Sequence, residues 1–160
     1  MKFELLISNK KKLEMSTVAI YLNFQGNTEE AFTFYKTVFG TEFSAPFMKL
    51  KDMPADPKGP KFPTSEMNNI IHVALPIIGG TEIMGTDMFE SMGQKLVVGN
   101  NTTISLQLDS KGEADKFYAA LSEGGSDQAP MREEFWGYWG CCLDKFGIRW
   151  MFNVMNESKN

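Results

Sequence analysis

The single histidine of this 160-residue chain, His72, is the residue best suited to acid–base chemistry near neutral pH. It lies in the run IIHVALPII, where alternation predicts a β-strand with Ile71 and Val73 on one face and His72 with Ala74 on the other. An imidazole there could be a general base, an orienting hydrogen-bond donor or a lone metal ligand. The other interpretation is a structural histidine bonded to a backbone carbonyl. His72 is the candidate catalytic residue.

The nearest acidic candidates are Asp87, which closely follows Met84, and the pair Glu133 and Glu134. Carboxylates at such positions are more often solvated or located at strand ends. They could assist His72 only if the fold brings them to the same face of a sheet.

Cys141 and Cys142 are adjacent on a predicted strand, so their side chains should point to opposite faces. A disulfide between neighbouring residues would be strained, and no histidine or further cysteine stands at metal-ligand spacing. The pair is therefore interpreted as two small buried hydrophobic residues in a reducing compartment.

Two segments, NTEEAFTFYKTVFG and SKGEADKFYAALSEG, are predicted to be α-helices. Each begins with a capping residue followed three positions later by glutamate, Asn27 with Glu30 and Ser110 with Glu113, which is the capping-box spacing. Apolar residues recur on one face of each segment at helical spacing. The predicted helices are 28–39, with Ala31, Phe34, Tyr35 and Val38 on the apolar face, and 111–123, with Ala114, Phe117, Tyr118 and Leu121.

An alternating strand precedes each helix, AIYLNF in one case and TISLQL in the other. Further along, IHVALPIIGGTEIMGTD matches YWGCCLDKFGIRWMFNV when the hairpin glycines Gly80 and Gly147 are aligned. Asp144 suits the first position of the second turn, where its side chain can bond the backbone ahead. The predicted strands are 18–24, 42–50, 69–78 and 81–88, then 101–109, 127–134, 136–144 and 148–155.

The chain is therefore predicted to be α+β, with two βαβββ modules whose helices cover one face of each sheet and leave the other face free. The segment 49–69 is rich in proline and charge and is predicted to be a surface excursion. The predicted organisation is an N-terminal extension at 1–14, a first module at 15–88, a linker at 89–100 and a second module at 101–156.

Bulk properties exclude two classes of partner. The net charge is −4 and no basic stripe is present, so nothing attracts a nucleic-acid backbone. No apolar run approaches the roughly 20 residues of a membrane-spanning helix, and the N-terminal FELLI is too short for a secretory segment. We expect a cytoplasmic protein with neither a membrane nor a nucleic-acid partner.

Three segments occur in order on the paired βαβββ modules: YLNFQGNTEEAFTFYKTVFG, IIHVALPIIGGTEIMGTD and EEFWGYWGCCLDKFGIRWMFNV. Together they resemble the PhnB-like branch of the glyoxalase, bleomycin-resistance and extradiol-dioxygenase superfamily, also called the vicinal oxygen chelate (VOC) superfamily. The resemblance spans about residues 16–155. It implies a cup-shaped sheet in each module, a homodimer and, in the superfamily's enzymes, a divalent metal that chelates substrate oxygens. PhnB-like proteins are often labelled 3-demethylubiquinone methyltransferases, but this sequence has no glycine-rich strand-to-helix turn for an adenosyl cofactor.

Metal-using members of the superfamily take their ligands from the first and fourth strands of each module, on the face away from the helix, here called the free face. The corresponding residues of this chain are Ala19, Met84, Thr103 and Met151. A divalent ion requires carboxylates or imidazoles about 2 Å away, and these residues supply none. The resemblance therefore implies the fold without the usual metal centre. The alternative is a divalent metal ion held by His72 together with Asp87 or Glu134.

The other residues predicted on the free faces are neutral hydrogen-bonding groups among methionine and tryptophan, a mix that suits an aromatic or amphipathic small molecule. Arg149 should share a face with Met151, where it could meet an anionic ligand or Glu134, or lie exposed at the sheet edge. Trp136, Trp139 and Trp150 could wall a cavity or fill the core. The predicted ligand-binding residues are Tyr21, Asn23, His72, Met84, Thr103, Ser105, Gln107, Trp139, Arg149 and Met151, with Asn153 also on the face.

The favoured hypothesis is a dimeric PhnB-like protein that binds a small organic molecule in its cup without a metal, in the manner of the bleomycin-resistance members. The alternative is a metal-dependent lyase or oxygenase of the glyoxalase or dioxygenase type that uses His72. A third class, a purely structural dimerisation module, predicts no stabilisation by any ligand. The sequence leaves open whether a reaction occurs, and whether the two modules of one chain face each other or exchange across a dimer.

Overall fold

The computed structural model describes residues 18–156, so the predicted extension at 1–14 lies outside the described residues. Short 3-10 turns occur at Leu50–Asp52, Thr64–Glu66 and Glu90–Met92. No helix among the described residues is both long and apolar enough to cross a membrane. The regular elements are β1 (Ile20–Phe24), α1 (Thr28–Phe39), β2 (Met48–Lys49), β3 (Ile70–Pro76), β4 (Glu82–Asp87), β5 (Ile104–Gln107), α2 (Lys111–Ser122), β6 (Ser126–Glu134), β7 (Gly137–Leu143) and β8 (Arg149–Met155).

Each half of the chain forms a four-stranded sheet with one helix packed on one face. The strand orders are β1-β4-β3-β2 and β5-β8-β7-β6, so the first strand of each module lies beside the last. That pair is parallel, and the remaining pairs are antiparallel. The predicted α+β fold with two βαβββ modules is confirmed.

The predicted strand at 42–50 is wrong over most of its length. Only Met48 and Lys49 pair with β3, and the register shifts between them. Pro46 lies inside the predicted strand, and a proline nitrogen cannot donate to a sheet ladder. The second strand of the first module is therefore a two-residue edge strand, whereas its counterpart β6 has nine residues.

The two helices begin differently, although the sequence predicts the same cap for both. In α2, Ser110 Oγ accepts a hydrogen bond from the Glu113 amide at 3.2 Å, as predicted. In α1, the Asn27 side chain makes no capping bond. Its place is taken by Asp87 Oδ1, which accepts from the Thr28 amide at 3.1 Å and from the Thr28 hydroxyl at 2.6 Å. The predicted cap is correct for α2 and wrong for α1.

The helix sides of both sheets share one hydrophobic core. Tyr35 of α1 and Trp150 of β8 are fully buried, and their ring centroids lie 5.6 Å apart. Phe39 and Phe117 make a similar contact between the two helices at 5.3 Å. The Tyr35 hydroxyl also donates to Asp144 Oδ2 at 2.7 Å. The two modules are therefore joined through their helix sides, which leaves the free faces on the outside of a single chain.

Candidate functional site

The free face of the first sheet carries the predicted residues Tyr21, Asn23, His72 and Met84. Tyr21 of β1 is the register partner of Met84 of β4, and Met84 is in turn the partner of Ala74 of β3. Tyr21 is 47% exposed and Asn23 is exposed, whereas His72 and Met84 are half-buried. In a single chain this face is open to solvent.

Tyr21 and His72 form a hydrogen-bonded pair on this face. The Tyr21 hydroxyl and His72 Nδ1 lie 3.2 Å apart, with ring centroids 6.0 Å apart, and the His72 tautomer decides which group donates. Burial raises the pKa of Tyr21 above its usual 10.0, so the hydroxyl keeps its proton at neutral pH. When Tyr21 donates, Nε2 carries the proton of a neutral imidazole and can donate to a bound molecule.

The free face of the second sheet is built from two cross-strand rows. Neighbours within each row come from different strands, so the register brings together residues that are far apart in the sequence. The first row is Ser105, Met151, Cys141 and Ala129, and the second is Gln107, Asn153, Trp139 and Arg132.

Three side chains of the second free face form one hydrogen-bonded chain. Gln107 Nε2 donates to Ser105 Oγ at 2.7 Å, and Asn153 Nδ2 donates to Gln107 Oε1 at 2.8 Å. Asn153 is only 8% exposed, and its Oδ1 accepts no hydrogen bond from the described residues. Buried side-chain acceptors are nearly always satisfied in native proteins, so the chain ends at an unusual atom.

The three tryptophans occupy three different environments. Trp139 lies on the free face, where the Arg132 guanidinium stands over its ring at 5.0 Å from the centroid. Trp150 is fully buried in the shared core. Trp136 is partly exposed and lies in the two-residue turn between β6 and β7. Of the three rings that could wall a cavity, Trp139 is the one that lies within a free-face row.

Arg132 is a free-face residue that the sequence reasoning missed. It is the cross-strand partner of Trp139, and its Nε donates to Glu134 at 2.7 Å. Counting residues outward in both directions from the β6–β7 turn brings Arg132 opposite Trp139, so the hairpin register was the signal that could have identified it.

Arg149 lies at the start of β8, where it bonds to Asp127. The guanidinium donates through Nη1 to Asp127 Oδ2, and Nη2 lies 3.7 Å from Cys141 Sγ. The hydrogen bond to Asp127 raises the pKa of Arg149 above its usual value. Asp127 has a φ of +47°, which non-glycine residues rarely adopt. Because Asp127 already binds Arg149, an anionic ligand would have to compete with it. The carboxylate that Arg149 contacts is Asp127 and not Glu134.

Two grooves related by the internal repeat run along the edge strands β1 and β5. Each combines an edge strand of one module with the last hairpin of the other. In a single chain, six of the predicted ligand-binding residues line these grooves, whereas His72, Met84, Trp139 and Met151 line neither of them. The groove beside β5, about 720 Å³, contains Thr103, Ser105 and Gln107, and the groove beside β1, about 500 Å³, contains Ala19, Tyr21, Asn23 and Arg149.

Asp87, the first acidic candidate, holds the backbone on the helix side of the sheet. It is buried, and Oδ1 accepts from the amides of Gly26 at 2.9 Å and Thr28 at 3.1 Å. Oδ2 accepts from the Ile70 amide at 2.8 Å. Strand alternation places Asp87 and His72 on opposite faces of the first sheet, so the structure does not bring these two candidates together.

The residues of the free faces do not fit a divalent metal ion. The positions that correspond to the superfamily's ligands hold Ala19, Met84, Thr103 and Met151. Among residues 18–156, no three His, Cys, Asp or Glu side chains are grouped so that they could hold an ion. Such an ion needs several oxygen or nitrogen donors to replace its hydration shell. The two remaining acidic candidates are engaged in ion pairs, Glu133 with Lys111 and Glu134 with Arg132.

Both cysteines are buried free thiols on opposite faces of β7, as the sequence predicts. Cys142 lies on the helix side as the register partner of Trp150. Burial, with the nearby charge of Asp144, raises the pKa of the Cys142 thiol from 9.0 to about 12. The thiol therefore stays protonated at neutral pH and packs as a small hydrophobic group.

Comparison with known proteins identifies relatives of this chain in sequence and in structure. A family model described as 3-demethylubiquinone-9 3-methyltransferase matches residues 16–153. Protein YjdN of Escherichia coli strain K12 is 30% identical over 147 residues, which cover 86% of this chain and 94% of YjdN. The crystal structure of protein PA1353 from Pseudomonas aeruginosa is similar with a TM-score of 0.75 at 32% identity, covering 88% of this chain and 98% of PA1353.

The fold is also similar to that of a more distant protein. A glyoxylase/bleomycin resistance protein/dioxygenase domain from Frankia sp. EAN1pec gives a TM-score of 0.61 at 14% identity, covering 89% of this chain and 99% of that domain. At this identity the likeness concerns the fold alone.

Proposed function

Because this chain belongs to the 3-demethylubiquinone-9 3-methyltransferase family, the PhnB-like branch of the VOC superfamily, we propose that it binds a small organic molecule on its free faces without the superfamily's metal centre. The chemistry of those faces carries the proposal. Neutral hydrogen-bonding groups such as Tyr21, Ser105 and Gln107 share them with the Trp139 indole and methionine thioethers. Such surfaces suit an aromatic or amphipathic molecule with a few polar groups.

The proposed partner is a second copy of the chain, which would close a pocket over the free faces. The helix sides are already buried against each other within one chain, whereas apolar side chains on the free faces are exposed, with Met48 at 50% and Met155 at 63%. Exposed apolar groups on sheet faces that no element of the same chain covers favour self-association.

We expect the full chain to be a homodimer at micromolar concentration, measured by sedimentation velocity. Replacing Met48 and Met155 together by lysine should shift the chain to the monomer, because the charges would be desolvated in the closed pocket. The double variant of exposed Lys51 and Lys58 to alanine is the control. A monomeric wild type, or a dimer that survives the first double variant, would contradict a pocket closed through the free faces.

Methyl transfer from an adenosyl cofactor is not proposed, although the family description names a methyltransferase. Cofactors of that type rely on free amides at a glycine-rich strand-to-helix turn. In the turn before α1, the amides of Gly26 and Thr28 donate to Asp87. In the first turn of α2, the Glu113 amide donates to Ser110 Oγ. These amides are therefore already engaged.

The rival proposal is a metal-dependent lyase or oxygenase in which His72 binds the ion. The Tyr21 hydrogen bond to His72 Nδ1 favours it, because a second group that orients the imidazole is a common feature of histidine ligands. Metal analysis of protein purified without chelator separates the two proposals. We expect far less than one divalent ion per chain, and one tightly bound ion would support the rival.

A thermal-shift screen with metabolites, aromatic antibiotics and divalent ions tests the binding function. A compound present at 100 times its Kd stabilises the folded chain by about 2.7 kcal/mol. We expect an organic compound to raise Tm and divalent ions alone to leave it unchanged. The His72→Ala variant should bind that compound within about fivefold of wild type, because most contact residues contribute less than about 1 kcal/mol.

Three outcomes would overturn the proposal in different ways. Stabilisation by a divalent ion alone, lost in His72→Ala, would favour the metal enzyme. Conversion of the compound by the wild-type protein, with no conversion by the His72→Ala variant, would show catalysis. No stabilisation by any compound would favour a purely structural dimerisation module.

We also infer that the protein works in the cytoplasm. Cys141 and Cys142 are free thiols, and unpaired cysteines are typical of a reducing compartment.

A further inference from the structure

Asn153 Oδ1 is a buried hydrogen-bond acceptor without a donor among residues 18–156. The residue is 8% exposed, and its amide nitrogen donates to Gln107 Oε1 at 2.8 Å and lies 3.1 Å from the sulfur of Met155. Leaving a buried acceptor unpaired is unfavourable, and native proteins contain few such atoms. The oxygen of Asn153 therefore requires a physical explanation.

The fold itself does not impose this unpaired oxygen. The corresponding residue of the first sheet is Thr86, because Asn23 pairs with Thr86 in β1 and β4 just as Gln107 pairs with Asn153 in β5 and β8. The Thr86 hydroxyl is satisfied by the Ile70 carbonyl at 3.1 Å. The first module therefore holds a satisfied group where the second module holds an unsatisfied one.

Asn153 is the end of the chain in either orientation of the amides, although the unpaired atom would be its nitrogen if both amides were reversed. With both amides reversed, Ser105 Oγ would donate to Gln107 and Gln107 would donate to Asn153, so Asn153 would again be the end of the chain. The reversed arrangement would place the Asn153 oxygen against the Met155 sulfur, and both of these atoms are acceptors. The observed orientation, with a free oxygen, is the better one.

The register partner of Asn153 on β7 is Trp139, and the flat guanidinium of Arg132 lies over the Trp139 ring. A guanidinium over the ring indicates that this face of Trp139 is open to a delocalised group from above the sheet. Arg132 is exposed, so a ligand can displace it. We infer that the ligand is a flat heteroaromatic molecule that stacks on Trp139 and donates an N–H to Asn153 Oδ1, an inference that rests on the proposed function.

A side chain must move to admit this donor, and Met155, whose sulfur contacts the nitrogen of the same amide, is the candidate. Asn153 Oδ1 has almost no accessible surface, and the Met155 side chain lies against the same amide. Met155 is 63% exposed and carries an unbranched, flexible side chain, so its rotation requires no change of the sheet. Binding therefore exchanges a sulfur contact for a hydrogen bond to the ligand.

The test uses two flat bicyclic probes of nearly the same shape, indole with an N–H donor and benzofuran with a ring oxygen in its place. Each is titrated into the full-length, isotope-labelled protein, and amide chemical shifts of the second free face are followed. We expect indole to bind at least about tenfold more tightly than benzofuran, since only indole can satisfy the buried acceptor. In Asn153→Leu the two probes should bind equally.

Two further variants make the test decisive. Asn68→Leu, which changes an exposed amide in the loop before β3, should keep the preference for indole, and Trp139→Leu should weaken both probes. Equal binding of the two probes to wild type would overturn this inference and leave the proposed function standing. Equal binding is also the result expected if the second copy already donates a hydrogen bond to Asn153, and the inference would then be wrong for that reason. If neither probe shifts the second free face, the inference fails, while the thermal-shift screen still judges the proposed function independently.

Discussion

The Asp144→Ala variant is expected to lose about 3–5 kcal/mol of unfolding free energy, because four donors would be left unpaired in the core. Asp144 Oδ1 accepts from the amides of Phe146 and Ile148, each at 2.9 Å. Oδ2 accepts from the Tyr35 hydroxyl at 2.7 Å and from Trp150 Nε1 at 2.8 Å. Burial, with the charge of Asp144, raises the pKa of Tyr35 well above 10.0, so the hydroxyl remains a donor. Equilibrium unfolding in urea measures the loss.

A double-mutant cycle separates the link between the modules from the turn that Asp144 also holds. Tyr35→Phe removes one donor and should cost about 1–2 kcal/mol in wild type. In the Asp144→Ala background the same change should cost markedly less, because its acceptor is already gone. Asp109→Ala, at an exposed position of the second module, is the control and should change stability by less than about 0.5 kcal/mol. Additive losses for Tyr35 and Asp144 would contradict the shared hydrogen bond.

Elements whose signal is local were predicted well from the sequence. The helices Thr28–Phe39 and Lys111–Ser122 match their predicted bounds closely, because helical periodicity and terminal signals lie within one segment. The turn role of Asp144 was also predicted, and its Oδ1 bonds to Phe146 and Ile148 confirm it. In each case the interacting groups are separated by a few residues.

Contacts between distant segments were not predictable from the sequence pattern. The second oxygen of Asp144 meets Tyr35 across a separation of 109 residues, and Asp87 caps a helix 59 residues before it. Both carboxylates are short acidic side chains near turns or strand ends, where solvation is the usual outcome. Only the tertiary fold decides which donors surround them.

The sequence predicted which face of its strand each candidate site residue occupies, but not what lies above that face. Alternation correctly separated Tyr21 and His72 from the core residues of their strands, and the structure brings these two side chains into contact. A period of two cannot say what lies above the exposed face, whether solvent, another module or a second chain. The unpaired oxygen of Asn153 was likewise invisible, because it depends on a chain of three side chains from two strands.

Two buried carboxylates and several neutral groups lie on opposite sides of the sheets. Asp87 and Asp144 are buried on the helix sides, where backbone and aromatic donors satisfy both oxygens. The free faces keep the neutral groups of Tyr21, Ser105 and Gln107. Two buried carboxylates thus stabilise the fold on the helix sides, whereas neutral hydrogen-bonding groups stay on the free faces beside Arg132.

The second large effect is expected at Asp87, where Asp87→Ala should lower the free energy of unfolding by about 2–4 kcal/mol. The carboxylate accepts from the amides of Gly26, Thr28 and Ile70, so its loss leaves the start of α1 and the start of β3 unsatisfied together. A helix N-terminus also favours a negative charge, which the alanine removes. Urea unfolding measures the loss, and hydrogen exchange should show faster opening of the first turn of α1 than of α2.

Asn27→Ala is the matched control, because Asn27 occupies the position that the sequence assigns to the cap. Its side chain accepts only the Gln25 amide at 3.4 Å, so the variant should cost less than about 0.5 kcal/mol. The loss of unfolding free energy in Asp87→Asn should lie between the losses in Asn27→Ala and Asp87→Ala, since the amide keeps one acceptor oxygen but turns its NH2 group toward a donor. If Asn27→Ala destabilised the chain more than Asp87→Ala, the helix would be capped from its own sequence and not by Asp87.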